Sequence, residues 1–156
     1  MEEKIVVPLD GSEIGESAIP YVEDLVSKLS TDVKVEVILL RVLSKLTQTI
    51  NSGSAHVEVP LTKEEINQQK KQVLDYLNKA GESIKSKGAT VTAEVRSGNT
   101  SEVIVQVAEE ANVNMIAMST HGRTGLSRWA FGSVTDKVLR LEGKIPIIMV
   151  KAPKRT

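Results

Sequence analysis

The chain has 156 residues, 40% of them hydrophobic, and its 20 basic side chains balance 20 acidic ones. That length supports one domain with a real core, expected over residues 1–156. The zero formal charge argues against a nucleic-acid binder, which shows a basic surplus or stripe. Cysteine is absent, which excludes disulfides, thiolate nucleophiles and zinc–thiolate sites. The opening "MEEKIVVPLD" is acidic and then briefly apolar, unlike a signal peptide. No apolar run approaches the roughly 20 residues that span a bilayer. The expectation is a soluble, cytoplasmic protein with no membrane segment.

In chain order, short β-branched runs alternate with longer amphipathic ones. "KIVVPL" reads as a buried strand. Ile14, Ala18, Tyr21/Val22, Leu25 and Leu29 then fall on one face of a first helix. "VKVEVILLRVL" is the second strand, and Ser44 to Pro60 follows as a polar interruption expected to be a mobile loop. Thr62 and Glu65 form a capping box for a long second helix, with Ile66, Val73, Leu77 and Ile84 on its apolar side. "ATVTAEVR" alternates as a third strand. Asn99 and Glu102 open a third helix, with Val103, Val107 and Ala111 facing in. "NMIAMST" is the fourth strand, Ser133 and Asp136 open a fourth helix carrying Val134, Val138 and Leu141, and "IPIIMVK" is the fifth strand. Such alternation predicts right-handed βαβ units in an open α/β sheet of five parallel strands with helices on both faces.

In sheets of this kind, ligands bind beyond the carboxyl ends of the strands at the topological switch point. The loops so placed are Pro8 to Ser12, Arg41-Val42, Ser97 to Asn99, and Ser119 onward. The last is the richest, in the stretch "MSTHGRTGLSRWAFGSVTDKVLRL" from Met118 to Leu141. Gly122 and Gly125 permit positive φ and a close ligand approach. Ser119, Thr120, Thr124, Ser127, Ser133 and Thr135 offer hydroxyls, and Arg123 and Arg128 offer charge. Ser133 stands at a helix start, where free N–H groups and the dipole favour an anion. The cluster fits a phosphate site, and it also fits a glycine-rich turn followed by an ordinary helix cap. No Walker lysine follows the relevant glycine, and no G-x-G-x-x-G follows the first strand, so neither a P-loop NTPase nor a dinucleotide oxidoreductase is supported.

Strand, "STHG", nine residues from Arg123 to Phe131, then Gly132-Ser133 and a helix: this spacing resembles the universal stress protein family. Its nucleotide-binding members carry G-x-x-G, nine residues and G-[ST]. The likeness extends over the chain, through "IVVPLDGS", "ILLRVL", "SGNTSEVIVQVAEEANVNMIAMSTHG" and "PIIMV". One position departs: Ser119 stands for the first glycine, and serine is small enough to keep a close approach open. The resemblance implies a Rossmann-like fold, of the adenine nucleotide alpha hydrolase-like type, that binds ATP. Position by position it implies that Pro8, Leu9 and Asp10 meet the adenosine, with Asp10 near the ribose. Val42 would pack on the base, and Met118, Ser119, Gly122, Gly132, Ser133, Val134 and Thr135 would hold ribose and phosphates. Arg123 is a further phosphate candidate, although Arg123 and Arg128 also read as solvated charges, and Asp10 also suits the flank of a first helix.

The remaining candidates carry less chemistry. His121 has no nucleophile or orienting carboxylate in view, which makes it a weak general base. His56 sits in the polar stretch. Two distant histidines without cysteine assemble no transition-metal site, whereas Mg²⁺ can arrive with a triphosphate, held by phosphate oxygens and water. Trp129 reads as packing, and Met115, Met118 and Met149 as core. No hydrolytic machinery is visible, so the expected function is a stress-response or signalling module that holds ATP with little or slow turnover. The alternative is a nucleotide-free dimeric interaction module of the same fold. A phosphorylation-switched receiver fails because the third strand ends in Arg96-Ser97-Gly98, without an acceptor aspartate. The long uncharged edge "IPIIMV" invites pairing with a second copy, and the resemblance also implies a homodimer through the last strands.

Overall fold

The computed structural model describes residues 1–120, 132–141 and 143–152. The elements are β1 (Glu2–Pro8), α1 (Glu13–Glu16), α2 (Ala18–Lys28), β2 (Lys34–Leu43), β3 (Thr47–Ser52), β4 (Ala55–Pro60), α3 (Lys63–Ala80), α4 (Glu82–Ser86), β5 (Thr90–Ser97), α5 (Thr100–Glu110), β6 (Met115–Thr120), α6 (Ser133–Arg140) and β7 (Ile147–Lys151). Five strands form one parallel sheet in the order β5-β2-β1-β6-β7. From β1 the chain builds outward through β2 and β5, then returns to lay β6 and β7 on the other side. The order therefore reverses between β1 and β6.

The central strands are apolar at nearly every position because both faces are covered. Ile5, Val7, Val37, Leu39 and Ala117 point to one side, where α2, α3 and α4 contribute Val22, Leu77 and Ile84. Val6, Ile38, Leu40, Ile116 and Met118 point to the other, against Val103, Ile104, Val107 and Val138 of α5 and α6. Each of the valine, leucine, isoleucine and methionine side chains contributes about 1.5–3 kcal/mol when fully buried. Helix starts are set locally: Thr62 and Glu65 make the reciprocal capping box, and the Asn99 side chain accepts from the Glu102 N–H.

Three local features differ from the sequence expectation. The first helix is two segments, because Pro20 lacks the N–H that a continuous helix would bond to Glu16. Ser17 N–H instead closes a tighter bond on the Ile14 carbonyl, at 3.1 Å. The second helix is interrupted at Gly81, where an added Cβ would stand 2.8 Å from Val91 Cγ1, so the missing side chain lets the junction press on the sheet. The stretch expected to be a mobile loop contains the antiparallel hairpin β3–β4, turning at Gly53-Ser54. Its strands are exposed on both faces except at Val59, and His56 Nδ1 lies 2.6 Å from Asn51 Oδ1 across it.

Candidate functional site

The ladder between β1 and β6 contains only Ile5↔Met115 and Val6↔Ile116, although β1 continues to Pro8 and β6 to Thr120. On its other side β1 stays paired with β2 as far as Pro8↔Leu40, and Leu9 N–H adds a bond to the Leu40 carbonyl at 2.8 Å. Past Val6 the carboxyl ends of β1 and β6 are thus free to part. A cleft of about 340 Å³ opens at this point, within the range of small-molecule sites.

All ten described candidates named from the sequence line it: Pro8, Leu9, Asp10, Val42, Met118, Ser119, Gly132, Ser133, Val134 and Thr135. Gly122 and Arg123 lie outside the described residues, as do His121, Arg128 and Trp129. The walls also include residues that no motif singled out, among them Ile14, Gly15, Leu40, Ser44, Thr100 and Ile104. A second recess adjoins the cleft, sharing Ser44, Thr100, Ser133 and Val134 and adding Lys137. Lys137 sits four residues after Ser133, on the same face of α6.

One wall is built by the turn after β1. Asp10 Oδ1 accepts from Ser12 N–H at 2.9 Å and from Ser12 Oγ at 2.6 Å, while Gly15 N–H donates to Ser12 Oγ at 3.0 Å. Burial pushes the Asp10 carboxyl up, but the Ser12 hydrogen bonds and the charge of Arg41 outweigh it and hold the group below its usual value. Asp10 is therefore a fixed anion at neutral pH. Behind it, Tyr76 Oη donates to Glu16 Oε1 at 2.7 Å and ties α3 to α1.

The opposite wall is the start of α6. Gly132 is its cap residue and provides no side-chain acceptor, so the first-turn N–H groups have no side-chain cap among the described residues. The first helical bond runs from Asp136 N–H to the Gly132 carbonyl, at 2.9 Å. Thr135, only 4% exposed, lines the cleft and has no hydrogen-bond partner among the described residues. The wall between them is apolar, formed by Leu40, Val42, Ile104 and Met118. The cleft can thus hold a flat apolar group in its middle, a hydroxyl donor at Asp10 and an anion at α6.

Residues 1–151 match the model of the universal stress protein family. The chain belongs to that family. It is 30% identical over 164 residues to universal stress protein MJ0577 of Methanocaldococcus jannaschii, covering 97% of this chain and 96% of that one. It is 29% identical over 153 residues to universal stress protein YxiE of Bacillus subtilis, covering 97% and 100%. Among solved structures, MJ0577 superposes with a TM-score of 0.71 at 26% identity, over 98% of each chain. A universal stress protein of Archaeoglobus fulgidus in complex with dAMP has the same fold, with a TM-score of 0.60 at 22% identity over 96% and 98% of the chains. The structure of a further universal stress protein family member, in complex with cAMP, superposes with a TM-score of 0.64 at 17% identity, over 96% of each chain.

Proposed function

We propose that this universal stress protein binds ATP in the cleft between β1 and β6, and acts as a nucleotide-holding stress-response or signalling module with little or slow hydrolysis. The observation that carries the reading is the gathering of all ten described candidates from four separated segments around one cleft at the switch point. Adenine would lie on the apolar wall at Val42, the ribose beside Asp10, and the phosphates at the uncapped start of α6. Gly122 and Arg123 would complete the phosphate contacts. Proteins of this fold hold dAMP and cAMP in the two complexes above, which supports an adenine nucleotide as the ligand class.

Among the described residues no three His, Asp or Glu side chains gather as a metal site. Mg²⁺ would therefore enter with the triphosphate, held by phosphate oxygens and water. No helix among the described residues is long and apolar enough to cross a membrane, which fits a cytoplasmic role. The homodimer would form through β7, whose Ile147–Val150 edge carries no charge. The opposite edge, β5, carries the Arg96–Glu94–Glu110 ion pairs, and charges on an edge discourage pairing.

The test is calorimetry of the purified chain with ATP and GTP, together with Gly132→Val, whose branched side chain would occupy the phosphate approach. ATP should bind in preference to GTP, and Gly132→Val should remove binding while leaving the unliganded fold intact. A folded Gly132→Val protein that binds ATP as well as the parent would refute the site.

A further inference from the structure

Ser119 stands where the family pattern has a glycine, and its hydroxyl is already engaged. Ser119 Oγ donates to the Gly15 carbonyl at 2.8 Å, across 104 residues of sequence. A serine hydroxyl has a single proton to donate. With that proton on Gly15, Ser119 has none for an ionised phosphate, which only accepts. Its direct usefulness to a phosphate is small, and its hydrogen bond instead spans the crevice whose backbone ladder ended at Val6↔Ile116.

The bond reaches Asp10 in two steps. Gly15 N–H donates to Ser12 Oγ, which in turn donates to Asp10 Oδ1. Gly15 is also packed against that carboxylate, since a Cβ added there would fall 2.5 Å from Asp10 Oδ1. No ordinary contact allows that approach, so a side chain at this position would have to displace the carboxylate, and the constraint is one of space rather than of φ. Asp10 Oδ1 already accepts twice from Ser12, which leaves Oδ2 as the oxygen without a partner among the described residues.

We propose that Ser119 and Gly15 form a latch across the cleft that positions Asp10, so that Ser119 acts on the sugar end of the ligand and not on its phosphates. This rests on the reading of the cleft as an adenine-nucleotide site. Ser119 is then a positioning residue, and its replacement acts through Asp10.

The experiment titrates adenosine, AMP and ATP against the full chain, Ser119→Ala, Gly15→Ala, Asp10→Ala and the double variant Asp10→Ala/Ser119→Ala, with unliganded melting curves for each. Ser119→Ala should weaken all three ligands by the same factor, about two- to tenfold, the range of a neutral hydrogen bond. Gly15→Ala should weaken all three further, because its Cβ displaces the carboxylate. In the Asp10→Ala background, Ser119→Ala should cost nothing more, the non-additivity expected of residues acting through one another. A loss confined to AMP and ATP would mean that Ser119 meets phosphate, and an unchanged affinity for all three would mean that the latch is idle. Either result overturns the proposal while leaving the nucleotide site standing. A parent chain that binds none of the three overturns the site itself.

Discussion

Replacing Thr135 by valine separates the ligand's interactions from those of the fold. The residue is 4% exposed, and its hydroxyl has no partner among the described residues. Valine keeps nearly the same shape without the hydroxyl, so no hydrogen bond among the described residues is broken and no cavity is opened. The unliganded protein should melt within a few degrees of the parent, and no lower than a loss of about 0.5 kcal/mol would place it. With ATP the result should differ. If the hydroxyl donates to a charged phosphate oxygen, its loss costs about 1.5–3 kcal/mol, equivalent to roughly ten- to a hundredfold in affinity. Calorimetric titration with ATP gives the affinity, and differential scanning without ligand gives the stability. Unchanged ATP affinity would refute the placement of Thr135 on the ligand. A large fall in the unliganded melting temperature would show that the hydroxyl serves the fold.

Three further outcomes are expected. Ile148→Lys should convert a dimer to monomers in sedimentation, because a two-fold interface through β7 would bring both lysines together and like charges there cost several kcal/mol; an unchanged dimer places the interface elsewhere. Asp10 has a depressed carboxyl, so its stabilising contribution is present above the unfolded pKa of about 3.9 and is lost as pH falls through the lower folded value. The melting-temperature gap between the parent and Asp10→Asn should therefore hold down to about pH 4 and narrow as the pH falls below it, and a constant gap would contradict the assignment. Replacing residues 47–60 by a short Gly/Ser linker should leave the melting temperature nearly unchanged, since the hairpin buries almost nothing; loss of cooperative unfolding would refute this.

The central strands β2, β1 and β6 were legible because their side chains alternate between two apolar layers, whereas β5 was legible from its own alternation, with Val91, Ala93 and Val95 on one layer. The hairpin was not, because Thr47–Pro60 packs on no core and so carries no burial pattern to read. Its signal was turn chemistry instead: Gly53-Ser54 between two alternating runs, a two-residue hairpin connection with Gly53 at φ 65°. The break at Ser17 was hidden for a related reason, as Ile14, Ala18 and Val22 keep their helical spacing through it. Pro20 was the available sign. At the cleft, the strand-end rule and the family spacing marked Pro8 to Asp10, Val42, Met118, Ser119 and the start of α6. Neither could mark Gly15, Thr100 or Ile104. Gly15 matters through the space that Asp10 fills, and that contact exists only once β1 and α1 have folded together. The serine at 119 was visible as a departure, but its acceptor lies on another element.

The same geometry explains how a family fold tolerates such a departure. The residues that hold the sheet together, Ile5, Val6, Val7, Val37, Leu39, Leu40, Ile116 and Ala117, are almost wholly buried and precede the strand ends. The cleft shares Leu40 with that set and is otherwise made beyond it, where the β1–β6 ladder has stopped and side chains replace backbone pairing. Asp10, Ser119 and Ser133 lie there outside both core layers, so on the proposed reading a change among them is felt by the ligand first. Gly15 marks the boundary, because it faces the cleft and a Cβ there would have to displace the Asp10 carboxylate. Ser119 lies on the permissive side of that boundary: its hydroxyl adds a tie across an opening that the backbone leaves unbonded. A glycine at 119 would keep the sheet and surrender the tie, so on the proposed nucleotide reading this position would tune affinity more than the stability of the fold.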